Sequence, residues 1–359
     1  MKTLTIVIPT YNMEKYLEKC LSSLVISPEL MESVEVLVIN DGSTDSSGSI
    51  AHSFEDKYPS TFRVIDKSNG HYGSCVNRGL AEAVGKYIKV LDADDSFDND
   101  NFREYVRFLG EVDADMVLNN FYWVDVNGEK VRLVENRLKD RSVAPFTTRQ
   151  AGRFTRNDLQ MHTVAYLTEN LRKIQYCQSE GVSYSDQEWV FTPLMTVKTI
   201  ANFDRPLYLY LIGREGQSMS EKVRRKQMHD ETVCILKKLK DWSAYPDVHP
   251  ACKSFWDANI KSSLMSVYYN YLIKYGSGAE ELDKFDEAVQ AISSNASKLL
   301  YNCRIAGTCM YPARYWKKYH KVPRPFRRKA IAACNKIYRK STYLLRDLSN
   351  LIDRAKLMI

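Results

Sequence analysis

The sequence predicts an α/β sandwich built on a mainly parallel central sheet, followed by a helical C-terminal region. Three observations carry that expectation. Strand and helix signals alternate through the first hundred residues. The first, second and fourth strands each end in a loop of oxygen-bearing side chains. Beyond residue 220 the helical pattern takes over, which divides the chain into an α/β domain over 1–220 and a helical region over 221–359.

The alternation can be followed in order. Leu4 to Ile8 is a short β-branched run stopped by Pro9, the pattern of a buried strand. Met13 to Val25 places Tyr16, Leu17, Cys20, Leu21 and Leu24 at helical spacing. Val34 to Ile39 is a second buried strand, closed by the turn Asn40-Asp41-Gly42-Ser43. Asp45 or Ser46 can then cap a helix through Phe54. Phe62 to Ile65 reads as a third strand, Ser74 to Val84 as a helix, and Tyr87 to Leu91 as a fourth strand. Met116 to Leu118 and Phe121 to Val124 follow as strands, with a hairpin turn at Asn127-Gly128. Gly276-Ser277-Gly278 marks a loop, and Pro312, Pro323 and Pro325 interrupt helices near the end.

Strands joined through helices run parallel, and open sheets of this kind bind ligands beyond the carboxyl ends of their strands. Thr10-Tyr11-Asn12, Asp41 to Asp45 and Asp92-Ala93-Asp94-Asp95 all fall at those ends. Clustered carboxylates repel, and Mg²⁺ or Mn²⁺ shared with substrate phosphates relieves the repulsion. Taken alone, the acidic run reads equally as an exposed turn before a helix cap at Asp98 or Asn99. Asp41 can accept from a nucleobase N–H, and Tyr11 can stack on a base. The same residue types also make ordinary turns and caps.

Composition narrows the class. No run reaches the ~18 uninterrupted apolar residues of a membrane-spanning helix, and no signal-peptide pattern opens the chain, so a cytoplasmic location is expected. Eight scattered cysteines without a CxxC pair argue for free, mostly buried thiols. The net charge of +7 is uneven: Arg304–Ile359 holds 15 Lys/Arg against 2 Asp/Glu, leaving the first 303 residues at −6.

Four blocks resemble, in order and spacing, the successive signatures of family 2 glycosyltransferases. They are Ile6 to Asn12, Val38 to Asp45, Asn69 to Asn77 and Leu91 to Asp95. The resemblance covers residues 1 to 220 and is strongest in the first hundred. It implies a GT-A fold, a nucleotide-sugar donor that is usually UDP-linked, and Mn²⁺ or Mg²⁺ as cofactor. By position, it implies that Pro9, Thr10, Tyr11, Asp41, Asn69 and Gly70 meet the nucleotide sugar. Asp92 is implied to contact ribose or the metal shell, and Asp94 to ligate the metal. Val76-Asn77 stands where the family commonly has Arg-Asn, so a basic partner is missing there. The His71-Tyr72-Gly73-Ser74 variant is similar to a subgroup of bacterial surface-polysaccharide enzymes.

Inverting transfer needs a base for the acceptor hydroxyl. Gly181 to Trp189 is similar to the family's Glu-Asp segment, with Ser185 in place of Glu. That implies Asp186 as base, with Glu188 in reserve. The same residues also suit a helix N-terminus capped by Ser185. Arg214 stands where relatives often keep a basic residue before a mobile loop, which makes it a candidate for binding pyrophosphate; it reads equally as a plain surface arginine. His162 is a candidate for the acceptor site, although a lone histidine also serves as packing.

From Arg327 to Ile359, Ile331, Cys334, Tyr338, Leu345, Leu348, Ile352, Ala355 and Ile359 fall on one helical face, widened by Ile337, Leu344, Leu351 and Met358. Arg328, Lys329, Lys336, Arg339, Lys340, Arg346 and Arg354 project opposite. Such a helix can lie in an anionic membrane surface, pack on the domain, or form a dimer seam. No recognition motif supports nucleic acid.

The leading reading is an inverting glycosyltransferase acting on a glycan or lipid-linked acceptor in surface-polysaccharide synthesis, at the inner face of the membrane. The alternatives are a non-catalytic nucleotide-sugar-binding or scaffold protein and a nucleotidyltransferase. The last lacks the Gly-rich basic loop it would need.

Overall fold

The computed structural model describes residues 2–136, 141–154, 159–214 and 221–356. They form two compact units, Met1–Cys234 with Tyr245–Trp256, and Ile235–Ala244 with Asp257–Ile359.

A ten-stranded sheet organises the first unit. Its strands are β1 (Leu4–Thr10), β2 (Val34–Asn40), β3 (Phe62–Asp66), β4 (Tyr87–Val90), β5 (Ser96–Phe97), β6 (Met116–Val124), β7 (Lys130–Val134), β8 (Ala144–Pro145), β9 (Val164–Leu167) and β10 (Thr199–Leu211). The order is β3-β2-β1-β4-β9-β6-β10-β5, with β7 on β6 and β8 on β10. The half β3-β2-β1-β4 is parallel throughout, as strands joined by helices must be. β9 enters antiparallel between β4 and β6, and β10 runs parallel to β6.

Five helices cover the first half: α1 (Leu17–Ser22), α2 (Pro28–Met31), α3 (Ser47–Lys57), α4 (His71–Glu82) and α5 (Asn99–Glu111). β1 sends Leu4, Ile6 and Ile8 into a core closed by Leu17, Cys20 and Leu21 of α1 and Phe102, Tyr105 and Leu109 of α5. α4 lies directly on β1, since a Cβ at Gly79 would come within 2.4 Å of Val7 Cγ1.

Two elements differ from expectation for a physical reason. The helix expected from Met13 begins at Leu17. The N–H groups of Met13 and Glu14 go instead to Ser47 Oγ and Asp45 Oδ2, and Asn12, at φ +53°, accepts from Thr44 N–H through its side chain. The chain after β1 is thus spent on holding the loop after β2. Likewise, the two short strands expected around Asn119-Asn120 are one strand, β6. Both asparagines are buried and bonded: Asn119 Oδ1 accepts from Lys89, while Asn120 donates to Asp204 O and accepts from Asn136 N–H. Asp98 caps α5 as expected, accepting from Asn101 N–H.

In the second unit, Pro312 and Pro325 open the helices Pro312–Tyr319 and Pro325–Lys356 rather than interrupting them. Along the last helix Ile331 and Asn335 are buried, while Phe326 and Ile337 are 71% and 68% exposed. The expected positions from Leu344 to Ile359 lie outside the described side chains. No helix among the described residues is long and apolar enough to cross a membrane.

Candidate active site

β1 and β2 end side by side, with Asp41 N–H donating to Thr10 O at 2.8 Å. Pro9 is buried in β1, and Thr10 turns its hydroxyl back to Ile8 O. Of the first loop, Tyr11 presents a ring to solvent, 48% exposed. Asp41 is buried, and its Oδ1 accepts from Lys67 Nζ at 2.5 Å and from Gly70 N–H at 2.9 Å. Asn69 Nδ2 donates to Asp41 O. Asp41, Asn69 and Gly70 are thus brought together. Lys67, which the sequence reading passed over, supplies the positive charge that the buried Val76 does not. Its signal was position: it follows β3 at the strand edge where the other loops gather.

The acidic run follows β4. One carboxylate oxygen from each of Asp92, Asp94 and Asp95 lies within 4.8 Å of the others. The three are not equivalent. Asp95 is buried and committed to β10, accepting from Tyr208 Oη at 2.7 Å and Leu211 N–H at 2.6 Å. Asp94 is ion-paired with Arg214 Nε, and the Arg214 guanidinium also lies 5.6 Å from the Tyr16 ring centroid. Asp92 Oδ1 accepts from Tyr72 Oη at 2.8 Å, and its N–H donates to Tyr208 Oη. Burial first, then the charges of Asp94 and Asp186, push the Asp92 carboxyl up to about 7 against the Tyr72 hydrogen bond. Two partly buried carboxylates with oxygen-only ligands suit a hard divalent cation, whose charge would relieve that repulsion. A cavity of about 250 Å³ opens beside Asp94, lined also by Lys15, Tyr16, Lys19 and Leu211.

Asp186 opens a single helical turn, Asp186–Trp189. Ser185 makes no side-chain cap there; its φ of −67° is already helical and its hydroxyl is buried. Asp186 is exposed, and its charge acts on Asp92, Tyr72 and Tyr210. Glu188 is buried and accepts from Ser179 N–H through Oε2. The segment is clamped to α4. Asn77 donates to Gln178 O and accepts from Gln178 N–H, Gly181 N–H donates to Gly70 O, and a Cβ at Gly73 would meet Ser179 O at 2.0 Å. Asn12 after β1, His71 at the start of α4 and Tyr184 before Asp186 adopt positive φ, so backbone strain sits in three of the segments that frame the site.

His162 does not line this surface. It is buried, with ring centroids of Phe121, Tyr208 and Tyr210 at 4.3, 5.0 and 5.1 Å. Burial pushes its pKa down to about 3, leaving a neutral packing group. Tyr72 and Tyr208 went unassigned in the sequence because their partners lie 20 and 113 residues away.

The model for glycosyl transferase family 2 matches residues 5–174. The uncharacterized glycosyltransferase MG025 of Mycoplasma genitalium is 38% identical over 242 residues, covering 67% of this chain and 78% of that protein. The poly(ribitol-phosphate) beta-N-acetylglucosaminyltransferase TarS of Staphylococcus aureus is 26% identical, covering 61% of this chain and 37% of that protein. The crystal structure of S. aureus TarS 1–349 in complex with UDP-GlcNAc aligns with a TM-score of 0.62 at 19% identity, over 95% of this chain and 92% of that one. The mannosyltransferase PcManGT from Pyrobaculum calidifontis, in complex with GDP-Man and Mn²⁺, aligns with a TM-score of 0.51 at 15% identity, over 93% and 86%. The structural likenesses show a shared GT-A-like fold. With the family match and the M. genitalium relative, they lead to one assignment: the chain belongs to glycosyl transferase family 2.

Proposed function

We propose that this chain transfers a sugar, with inversion, from a UDP-linked donor to a hydroxyl of a glycan or lipid-linked acceptor in surface-polysaccharide synthesis. The observation that carries the reading is convergence: Asp186, from a distant loop, lies near enough for its charge to act on Asp92 after β4. The UDP-GlcNAc bound by the TarS structure supports a uridine donor, and the Mn²⁺ of the mannosyltransferase supports a divalent cation.

In this reading Tyr11 offers a stacking face to the base, and Asp41, paired with Lys67, meets its polar edge. Asn69 and Gly70 form the wall behind it. Asp92 and Asp94 would hold Mn²⁺ or Mg²⁺, which when bound would supply positive charge to offset the negative charge of the departing diphosphate. Arg214 adds a positive group to the same region. Asp186 accepts the proton of the acceptor hydroxyl as that oxygen bonds to the anomeric carbon. The bond from that carbon to the diphosphate oxygen breaks, and its electron pair leaves on the nucleotide. Attack opposite the leaving group inverts the centre. Glu188, buried against Ser179 N–H, is the weaker choice for base.

The reading extends to a seat on the inner face of an anionic membrane. Phe326, Ala330, Ala333 and Ile337 make an exposed stripe along the last helix, flanked by exposed Arg327, Lys329, Lys336, Arg339 and Lys340. Phe326→Ser/Ile337→Ser should lose flotation with anionic vesicles that the unaltered chain shows. Equal, weak flotation of both would remove the membrane seat.

A panel of UDP- and GDP-sugars, assayed with Mn²⁺ or Mg²⁺ and again with chelator, tests the function. Chelator-sensitive turnover of a UDP-sugar is expected. Turnover confined to GDP-sugars would replace the donor, and no binding of any nucleotide sugar would reject the reading.

A further inference from the structure

We propose that Lys89 is a positioning residue that sets Asp92 through the segment Met161–Val164. The inference rests on the reading of Asp92 as a working residue of transfer.

Lys89 lies in β4, three residues before Asp92, and is fully buried. Its Nζ donates to Asn119 Oδ1 at 2.8 Å, His162 O at 2.9 Å and Val164 O at 3.3 Å. None of these acceptors is a carboxylate, and burial alone drives the Lys89 pKa well down. An apolar residue would occupy a strand interior at less cost. Stability therefore does not explain the lysine, and what it holds does.

The held segment reaches Asp92 by two routes. Met161 Sδ contacts Tyr72 Oη, the group that donates to Asp92 Oδ1. The His162 ring packs on Tyr208, whose oxygen receives Asp92 N–H and whose proton goes to Asp95. Between them runs a single 3-10 turn, Met161–Thr163. The turn's own bonds join Gln160 to Thr163, and the His162 carbonyl between them is held from outside, by Lys89 and by Asn119 Nδ2. Without Lys89, the carbonyls of His162 and Val164 and the Asn119 amide oxygen lose a buried donor, and the turn moves to find others.

Lys89→Met tests this, read by Mn²⁺ affinity from electron paramagnetic resonance, by UDP affinity, and by steady-state kinetics. Mn²⁺ affinity and kcat should each fall by at least about tenfold, as for other residues that orient ligands, with UDP affinity and donor KM kept within about threefold. The loss of Mn²⁺ affinity should shrink when Tyr72→Phe is already present, because both changes share the route through Tyr72. Additive losses, or an altered melting temperature with unchanged Mn²⁺ affinity and kcat, would overturn the proposal. If Lys89→Met does not fold, Lys89→Gln goes through the same cycle. If the unaltered chain binds no Mn²⁺, the metal reading of Asp92 fails by itself, and the split between kcat and KM decides on Lys89.

Discussion

Asp41 and Lys67 form an enclosed ion pair at the edge proposed to meet the nucleotide, with side chains 3% and 20% exposed. Removing the ammonium leaves a buried carboxylate with fewer donors, so Lys67→Met should weaken UDP binding and lower stability by about 1–3 kcal/mol. Calorimetry and thermal melts read the two effects. Lys67→Met with undiminished UDP affinity would remove this pair from the nucleotide site. His52 gives a residue-scale test of pH dependence. Hydrogen bonds to Asp66, then Glu55, raise its pKa above the usual 6.5. A raised pKa contributes stability that is present below about 6.5 and lost as pH rises through the folded value. His52→Ala should therefore lower the melting temperature at about pH 5.5 and change it little at about pH 9. What was legible at this scale was whatever neighbours in sequence also neighbour in space. Asp92 and Asp94 could be read together because one loop carries both. Lys67, Tyr72, Tyr208 and Lys89 could not, because their roles come from contacts across 20 to 113 residues.

Elements fix where those residues meet. α4 is pressed onto β1 at Gly79 and onto the 178–185 segment at Gly73. Gly79→Ala should cost about 1–3 kcal/mol through overpacking against Val7, measured by denaturant unfolding. Gly73→Ala should act differently: its Cβ meets a loop carbonyl, so displacing that loop should reduce turnover more than stability. Equal loss in both would mean that α4 and the loop yield together. The parallel strands β1 to β4 were readable from apolar runs closed by turn residues. β5, β8 and β9 were not, since two to four residues carry no period. The late start of α1 was hidden for another reason: hydrophobic spacing persists through Met13 to Tyr16, but their N–H groups serve the neighbouring loop.

At the scale of the molecule, the fold class followed from the order of elements, and so did the edge at which the loops gather. The antiparallel entry of β9 did not, since nothing local distinguishes it from another crossover. The thiols offer a whole-chain check. Cys177, Cys309 and Cys334 are exposed, the other five are buried, and burial pushes Cys75 up to about 12. A thiol reagent should titrate three cysteines in the native chain and all eight after denaturation; more than three at once in the native state would contradict this packing. In the proposed mechanism one site divides two roles: the carboxylates after β4 serve the metal and donor diphosphate, and Asp186 serves as the base. Asp186→Asn, with UDP and Mn²⁺ binding and sugar transfer measured on the same preparation, tests it most directly. Binding should stay nearly unchanged while transfer falls by at least about a hundredfold. Retained transfer would move the base elsewhere, and loss of binding together with transfer would make Asp186 part of the donor site.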